Sequence, residues 1–206
     1  MSDCCNDTAC QLAQQQSSTL KLVLAINIVM FVVEFGGGLA ASSTSLLADS
    51  LDMLGDALVY GFSLYVVGRN DAWKSASAFL KGGIMVAFGV FVLVDAAWKY
   101  LHPHVPAYQL IGFVGGVALL ANGCCLYLLT RHRDDDVNMR SVWLCSRNDI
   151  IANVSVLIAA ASVLATGSQW PDLLVGAGIA ILFLRSSLSV FVDAGRTLKS
   201  HNAQVL

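Results

Sequence analysis

Leu46–Tyr60 reads LLADSLDMLGDALVY and sets Asp49, Asp52 and Asp56 in a run otherwise apolar enough to lie within a membrane. Steps of three and four put the three carboxyl groups on one helical face. An ionised carboxylate at the bilayer centre costs about 2.5–3.5 kcal/mol on insertion scales. Three on one stripe are hard to keep for packing alone. They need a partner, and a divalent cation is the obvious one.

The remaining composition fits that setting. The 206 residues are 56% hydrophobic and 13% charged, where a soluble domain has about 25% charged residues. With a mean hydropathy of +0.68, the chain reads as an integral membrane protein. A net charge of −2 argues against a nucleic-acid partner, which would need a basic surface. Of the six cysteines, Cys124, Cys125 and Cys145 lie in apolar segments and Cys4, Cys5 and Cys10 in a polar tail. They read as free thiols rather than a disulfide framework. The first 18 residues hold no Lys or Arg, so no cleavable signal peptide is expected.

Six segments reach the roughly 20 residues that a membrane helix needs. They are Thr19–Ala41, Ser43–Val67, Ala76–Tyr100, Ala107–Thr130, Ser141–Thr166 and Pro171–Gly195. The connections between them are short. With both ends on the side of the second and fourth loops, that side carries Arg69, Lys74, Arg131, Arg133, Arg140, Arg196 and Lys199. The opposite side has Lys99 alone, at a helix end. The positive-inside rule then places both termini in the cytoplasm. The expected fold is an all-α membrane protein, a six-transmembrane-helix bundle. It divides into a flexible cysteine-containing cytoplasmic tail at 1–18, the membrane domain at 19–195 and a short cytoplasmic tail at 196–206. Small residues at Gly36–Gly38, Gly82–Gly83, Gly112, Gly115, Gly116, Gly176 and Gly178 point to close helix packing.

The fifth segment supplies a second polar cluster. Cys145, Asp149 and Asn153 fall at i, i+4 and i+8 and share a face, as Asp52 and Asp56 do. Two helices that each offer a pair one turn apart can close four ligands around one ion. Three carboxylates and a thiolate suit a tetrahedral zinc site, and the thiolate shifts preference towards softer ions such as cadmium. Alone, Cys145 would read as a small buried hydrophobe; its place one turn before Asp149 favours the ligand role. Asp49 is open between a structural hydrogen-bonding role and transient contact with metal, and Asn153 is an accessory candidate. Cys4, Cys5 and Cys10 could capture a soft ion before it enters the bundle, or be incidental to a disordered tail. Asn27 and Glu34 are expected to hydrogen-bond between helices. Arg147 and Arg185 are expected to pair with acidic neighbours such as Asp193 or Glu34. Lys81 and Asp95 are expected to snorkel.

The run from Asn27 through Glu34, Gly37 and Ser45-Leu46-Leu47-Ala48-Asp49 to Asp52 and Asp56 resembles the start of cation diffusion facilitator transporters. CSRNDIIANVSVLIAA from Cys145 is similar to that family's fifth helix, and Pro171-Asp172 to the opening of its last. The resemblance spans about 19–195. It implies six transmembrane helices, a homodimer, and export of divalent metal from the cytoplasm in exchange for protons. It also implies a transport site made of Asp52 with Asp56 and Cys145 with Asp149. Members commonly have His or Asp where this chain has Asp52 and Cys145, so the Cys shifts the expected preference away from zinc. Members usually carry a cytoplasmic metal-binding domain after the sixth helix. Here Arg196–Leu206 follows instead, so a dimer is expected to be held through the membrane helices.

The expected function is therefore export of zinc, cadmium or a similar soft divalent cation, with proton antiport and no cofactor, in a bacterial inner membrane. The alternative is a membrane metal-binding or sensor subunit that does not transport. An enzyme is not expected: intramembrane aspartic proteases carry Gly-x-Gly-Asp, whereas Met53-Leu54-Gly55 precedes Asp56. No other segment supplies a nucleophile with an oriented base.

Overall fold

The computed structural model describes the backbone at 3–66, 71–131 and 137–185, and side chains at 18–58, 61, 80, 82–131, 143 and 146–185. Six helices and no strand are found among these residues: α1 (Asp3–Ala41), α2 (Thr44–Val66), α3 (Asp71–Leu101), α4 (Tyr108–Thr130), α5 (Val137–Thr166) and α6 (170–185). Ser18–Ala41, Gly82–Leu101, Tyr108–Thr130 and Ser146–Thr166 are each long and apolar enough to cross a bilayer, so this is a multi-pass all-α membrane protein. Several helices run past their apolar stretch: α1 starts at Asp3, α3 at Asp71 and α5 at Val137. Hydropathy marks only what sits in hydrocarbon, whereas helical hydrogen bonding propagates into polar flanks.

The bundle is built around α2. It packs against α1, α3 and α5, and α6 closes its remaining side through Ala180 and Phe183, which join Leu47, Ala48, Leu51, Met85 and Val92 in one cluster. Helix α4 packs on α1 and α5. Residues 43–51 are buried without interruption, so the first two turns of α2 have no lipid-facing side. A helix buried all round is otherwise hydrophobic all round; this one holds Asp49 and Ser50 inside.

Polar clamps fasten the start of α2. The α1 helix ends at Ser42, whose φ of 52° is left-handed. Ser42 N–H donates to Leu39 O at 3.2 Å and Ser43 N–H to Gly38 O at 2.9 Å, the pair of bonds of a Schellman ending. The side chain of Ser43 then caps α2 by accepting from Leu46 N–H at 3.1 Å, as an N-cap serine does. Asp172 of α6 completes the cap. Its carboxylate accepts from Ser43 Oγ at 2.6 Å, Thr44 N at 2.7 Å, Ser45 Oγ at 2.6 Å and Ser45 N at 3.2 Å. A carboxylate at a helix N-terminus meets unpaired N–H groups and the positive end of the dipole.

At the same end, Lys99 Nζ donates to Asp95 Oδ2 at 2.5 Å and to Thr44 Oγ1 at 3.4 Å, and Thr44 Oγ1 donates to Asp95 at 3.0 Å. Asp95 was expected to snorkel; instead it turns inward as the partner of Lys99, because one turn of α3 separates them and Thr44 lies alongside. Gln169 ties the segment before α6 to its neighbours by donating to Lys99 O at 3.2 Å and accepting from His104 N at 2.9 Å.

Glycine supplies closeness at particular positions only. A Cβ on Gly176 would lie 2.6 Å from the Thr44 carbonyl carbon and 2.7 Å from Ser45 N, whereas Gly36, Gly112, Gly116 and Gly178 face open space. The approach that lets Asp172 reach α2 therefore requires the missing side chain at Gly176.

Two outcomes follow for stability in detergent. Asp172→Ala strands several buried donors and should cost roughly 2–4 kcal/mol, read as a lower midpoint in SDS-titrated unfolding. Gly176→Val drives a branched side chain into the α2 backbone and should lower the yield of monodisperse protein, while Gly178→Val should leave it near wild type.

Candidate metal centre

Asp49, Asp52 and Asp56 descend α2 in that order, about 8, 12 and 18 Å from its start at the usual rise per residue. They therefore lie at membrane depth rather than at a surface. Asp49 is fully buried, while Asp52 and Asp56 are half-buried. On α5, Asp149 is also buried, and a side-chain hydrogen bond joins it to Asp56. This contact brings together the two helices on which the sequence places its paired groups. Asp52 lies within electrostatic range of both Asp56 and Asp149. Cys145, the fourth group of the expected set, lies on the α5 helix, but its side chain falls outside the described residues. The side chains of Cys4, Cys5 and Cys10 do as well. Among the described residues, no three His, Cys, Asp or Glu side chains are gathered tightly enough to enclose an ion.

Above this group runs a chain of amides. Asn153 donates to Asp49 Oδ2 at 2.8 Å, and Asn122 of α4 donates to Asn153 Oδ1 at 2.9 Å. The link orients Asp49 and fastens α2, α5 and α4 across the core. Asn122 thus packs by hydrogen bonding, and Asn153 takes the place beside Asp49 rather than beside Asp149.

Some expected partners are different. Asn27 donates to Val23 O of its own helix at 2.9 Å, so it does not bridge helices. Glu34 is fully buried and neither carboxyl oxygen has a hydrogen-bond partner. Arg147 is exposed and lies over the Trp143 ring at 5.7 Å, so its guanidinium is held by cation–π attraction rather than by Glu34. Asp193 lies outside the described residues.

Sequence reasoning passed over Cys125. It is a free thiol, buried on α4, within electrostatic range of Asp56 and Asp149. The signal lies in its spacing from Asn122, one turn away on a helix without a charged residue; the Cys124-Cys125 doublet hid which of the two points inward.

Taken as chemistry, the centre is acceptor-rich. Asp52, Asp56 and Asp149 offer carboxylate oxygens from two helices, and among the described residues the charged groups that act on Asp52 and Asp149 are other carboxylates. Such a set can hold a cation or protons.

A family description for the cation efflux transmembrane domain matches residues 20–199. Among curated proteins, the chain is 24% identical over 184 residues to the zinc transporter ZitB of Yersinia pestis, covering 83% of this chain and 59% of that protein. It is 23% identical over 192 residues to the cadmium, cobalt and zinc/H(+)-K(+) antiporter of Bacillus subtilis, covering 84% and 62%. It is 24% identical over 199 residues to the metal cation efflux system protein CzcD of Cupriavidus metallidurans, covering 85% and 61%. The chain thus spans about three fifths of the length of these relatives. With most of its residues under one family description and its acidic helices meeting inside a membrane bundle, the chain belongs to the cation efflux transmembrane domain family.

Proposed function

We propose that the chain exports a soft divalent cation, zinc or cadmium, from the cytoplasm in exchange for protons. The observation that carries this reading is the hydrogen bond between Asp56 of α2 and Asp149 of α5. It brings a carboxyl group of each helix together at membrane depth, where isolated carboxylates are costly. The proposed ligands are Asp52, Asp56, Asp149 and Cys145, with Asp49 and Asn153 holding the geometry behind them. The relatives named for zinc, for cadmium, cobalt and zinc, and for metal cation efflux support the ion class. The name of the Bacillus subtilis relative includes H(+) and K(+) and supports antiport.

The site's chemistry couples the two fluxes. Carboxylate and thiolate groups bind metal in their deprotonated forms, so metal entry releases protons and protons arriving from the far side displace the metal. The tetrahedral preference of zinc fits four ligands contributed as two pairs one turn apart, and a thiolate among them raises affinity for cadmium. The positive-inside count supports both termini in the cytoplasm and a bacterial inner membrane as the location. In this reading Cys4, Cys5 and Cys10 gather soft ions on the cytoplasmic side, and two copies pair through their membrane helices. The bundle acts as a carrier without enzymatic chemistry or a resident cofactor.

Transport by the full chain in proteoliposomes tests the assignment. Asp149→Ala should abolish flux of zinc and cadmium, and Cys145→Asp should move the preference from cadmium towards zinc. Flux that survives in Asp149→Ala places the site on other helices. Uptake should also follow an imposed pH gradient, growing when protons are abundant on the side to which metal is exported and falling when the gradient is reversed. Metal flux indifferent to that gradient rules out the exchange.

A further inference from the structure

A costly group in the bundle belongs to α1. Glu34 is 0% exposed, and neither Oε1 nor Oε2 has a hydrogen-bond partner. Its carboxyl lies within electrostatic range of Asp49 and Asp52 on α2 and of Asp149 on α5. Helix α4, which packs on the same helix, has no charged residue, and its titratable side chains are Tyr108, Cys124, Cys125 and Tyr127. Among the described residues, the charged groups that act on Glu34 are carboxylates and no cation is beside it. By helical rise, Glu34 and Asp49 both lie about 10–12 Å below the Ser42 turn, nearer that end of the bundle than Asp56. Asn27 Oδ1 and Asp49 Oδ1 are also buried acceptors without a partner, and the Ser146 hydroxyl of α5 is buried without one as well.

A buried acceptor-only position can be satisfied in two ways. A proton converts the carboxyl to its neutral form, with an O–H to donate, or a cation nearby balances its charge. Glu34 is joined by hydrogen bond to none of the proposed ligands, so it holds its state apart from them while sensing their charge. An ion at Asp52 and Asp149 favours the ionised form, and loss of that ion favours the protonated form.

Resting on the exchange reading above, we propose that Glu34 is a proton-carrying residue of the transport cycle, separate from the ion's ligands. With the ion bound, Glu34 is a carboxylate and its proton has gone to water on the cytoplasmic side. When the ion leaves outward, one proton entering from that side bonds to a Glu34 oxygen and neutralises it, so that the empty bundle can reset. Each cycle then moves one proton per chain through Glu34, in addition to those carried by the ligands. Its depth, between the Ser42 end and the Asp56–Asp149 contact, puts it on the outward route under the positive-inside orientation.

The test uses the full chain in proteoliposomes, with wild type, Glu34→Gln and Glu34→Asp compared for zinc. Two fluxes are measured in the same vesicles: exchange of labelled for unlabelled zinc at uniform pH, and accumulation driven by a pH gradient, with a trapped pH dye counting protons. Glu34→Gln should still exchange zinc but reach a lower gradient-driven accumulation, with about one proton fewer released per ion. Glu34→Asp should restore both. Gradient-driven accumulation at the wild-type proton count in Glu34→Gln overturns the proposal. Loss of both fluxes in Glu34→Gln and in Glu34→Asp also overturns it, since Glu34 would then serve the fold or the ion site. A wild type that exchanges zinc yet ignores the gradient overturns the antiport reading itself, and the role of Glu34 with it.

Discussion

Enclosing the acidic stripe of α2 is the constraint from which the rest of the bundle follows. Asp49, Asp52 and Asp56 cannot face lipid without a cost of several kcal/mol in total, so α2 must be walled in. The wall is complete at its first turns, where residues 43–51 are all buried. Helices α1, α3 and α5 pack on it, and α6 closes the last side through Gly176, Ala180 and Phe183. A lipid-facing helix needs only one apolar stripe against its partners; a helix with carboxyl groups inside needs partners all round.

Enclosure also demands that buried polar groups be paired, and the chain meets this unequally. At the α2 N-terminus the polar groups find partners: Asp172 accepts four bonds and Lys99 holds Asp95 against Thr44. Deeper in, the pairing thins. Asp49 keeps one oxygen on Asn153 and the other on nothing, and Glu34 keeps neither. A buried network that is fully satisfied rigidifies, and one that is partly satisfied is unstable unless something else completes it. The contrast divides the molecule into a rigid outer clamp and an acceptor-rich interior suited to a mobile cation.

That division bears on how the bundle can move. The clamp ties α2, α3 and α6 together at one end, and the Asp49–Asn153–Asn122 chain ties α2, α5 and α4 through the middle. In the proposed exchange, an ion passing Asp56 and Asp149 would part α2 from α5 between these residues. Parting them further would strand the Asn153 amide, at a cost of about 1–3 kcal/mol for each buried group left unpaired. The amide chain therefore resists separation of α2, α5 and α4 at this depth.

Much of this was legible from residues alone. Hydropathy located the spans because hydrocarbon selects apolar stretches of fixed length, and spacing placed Asp52 with Asp56, and Cys145 with Asp149, because helical period is a local property. What sequence could not decide is which groups meet across helices. Asn153, aligned with Asp149 along α5, turns to Asp49; Asp95 takes Lys99 instead of water; Asn27 folds back on its own helix; Cys125, not Cys124, points to the acidic pair. Each depends on the rotation and approach of neighbouring helices, and those are set by contacts such as Gly176 against Thr44 that couple residues far apart in the chain. The periodic signal fixes a face within one helix; only tertiary packing decides what that face meets, and whether, as at Glu34, it meets no donor at all.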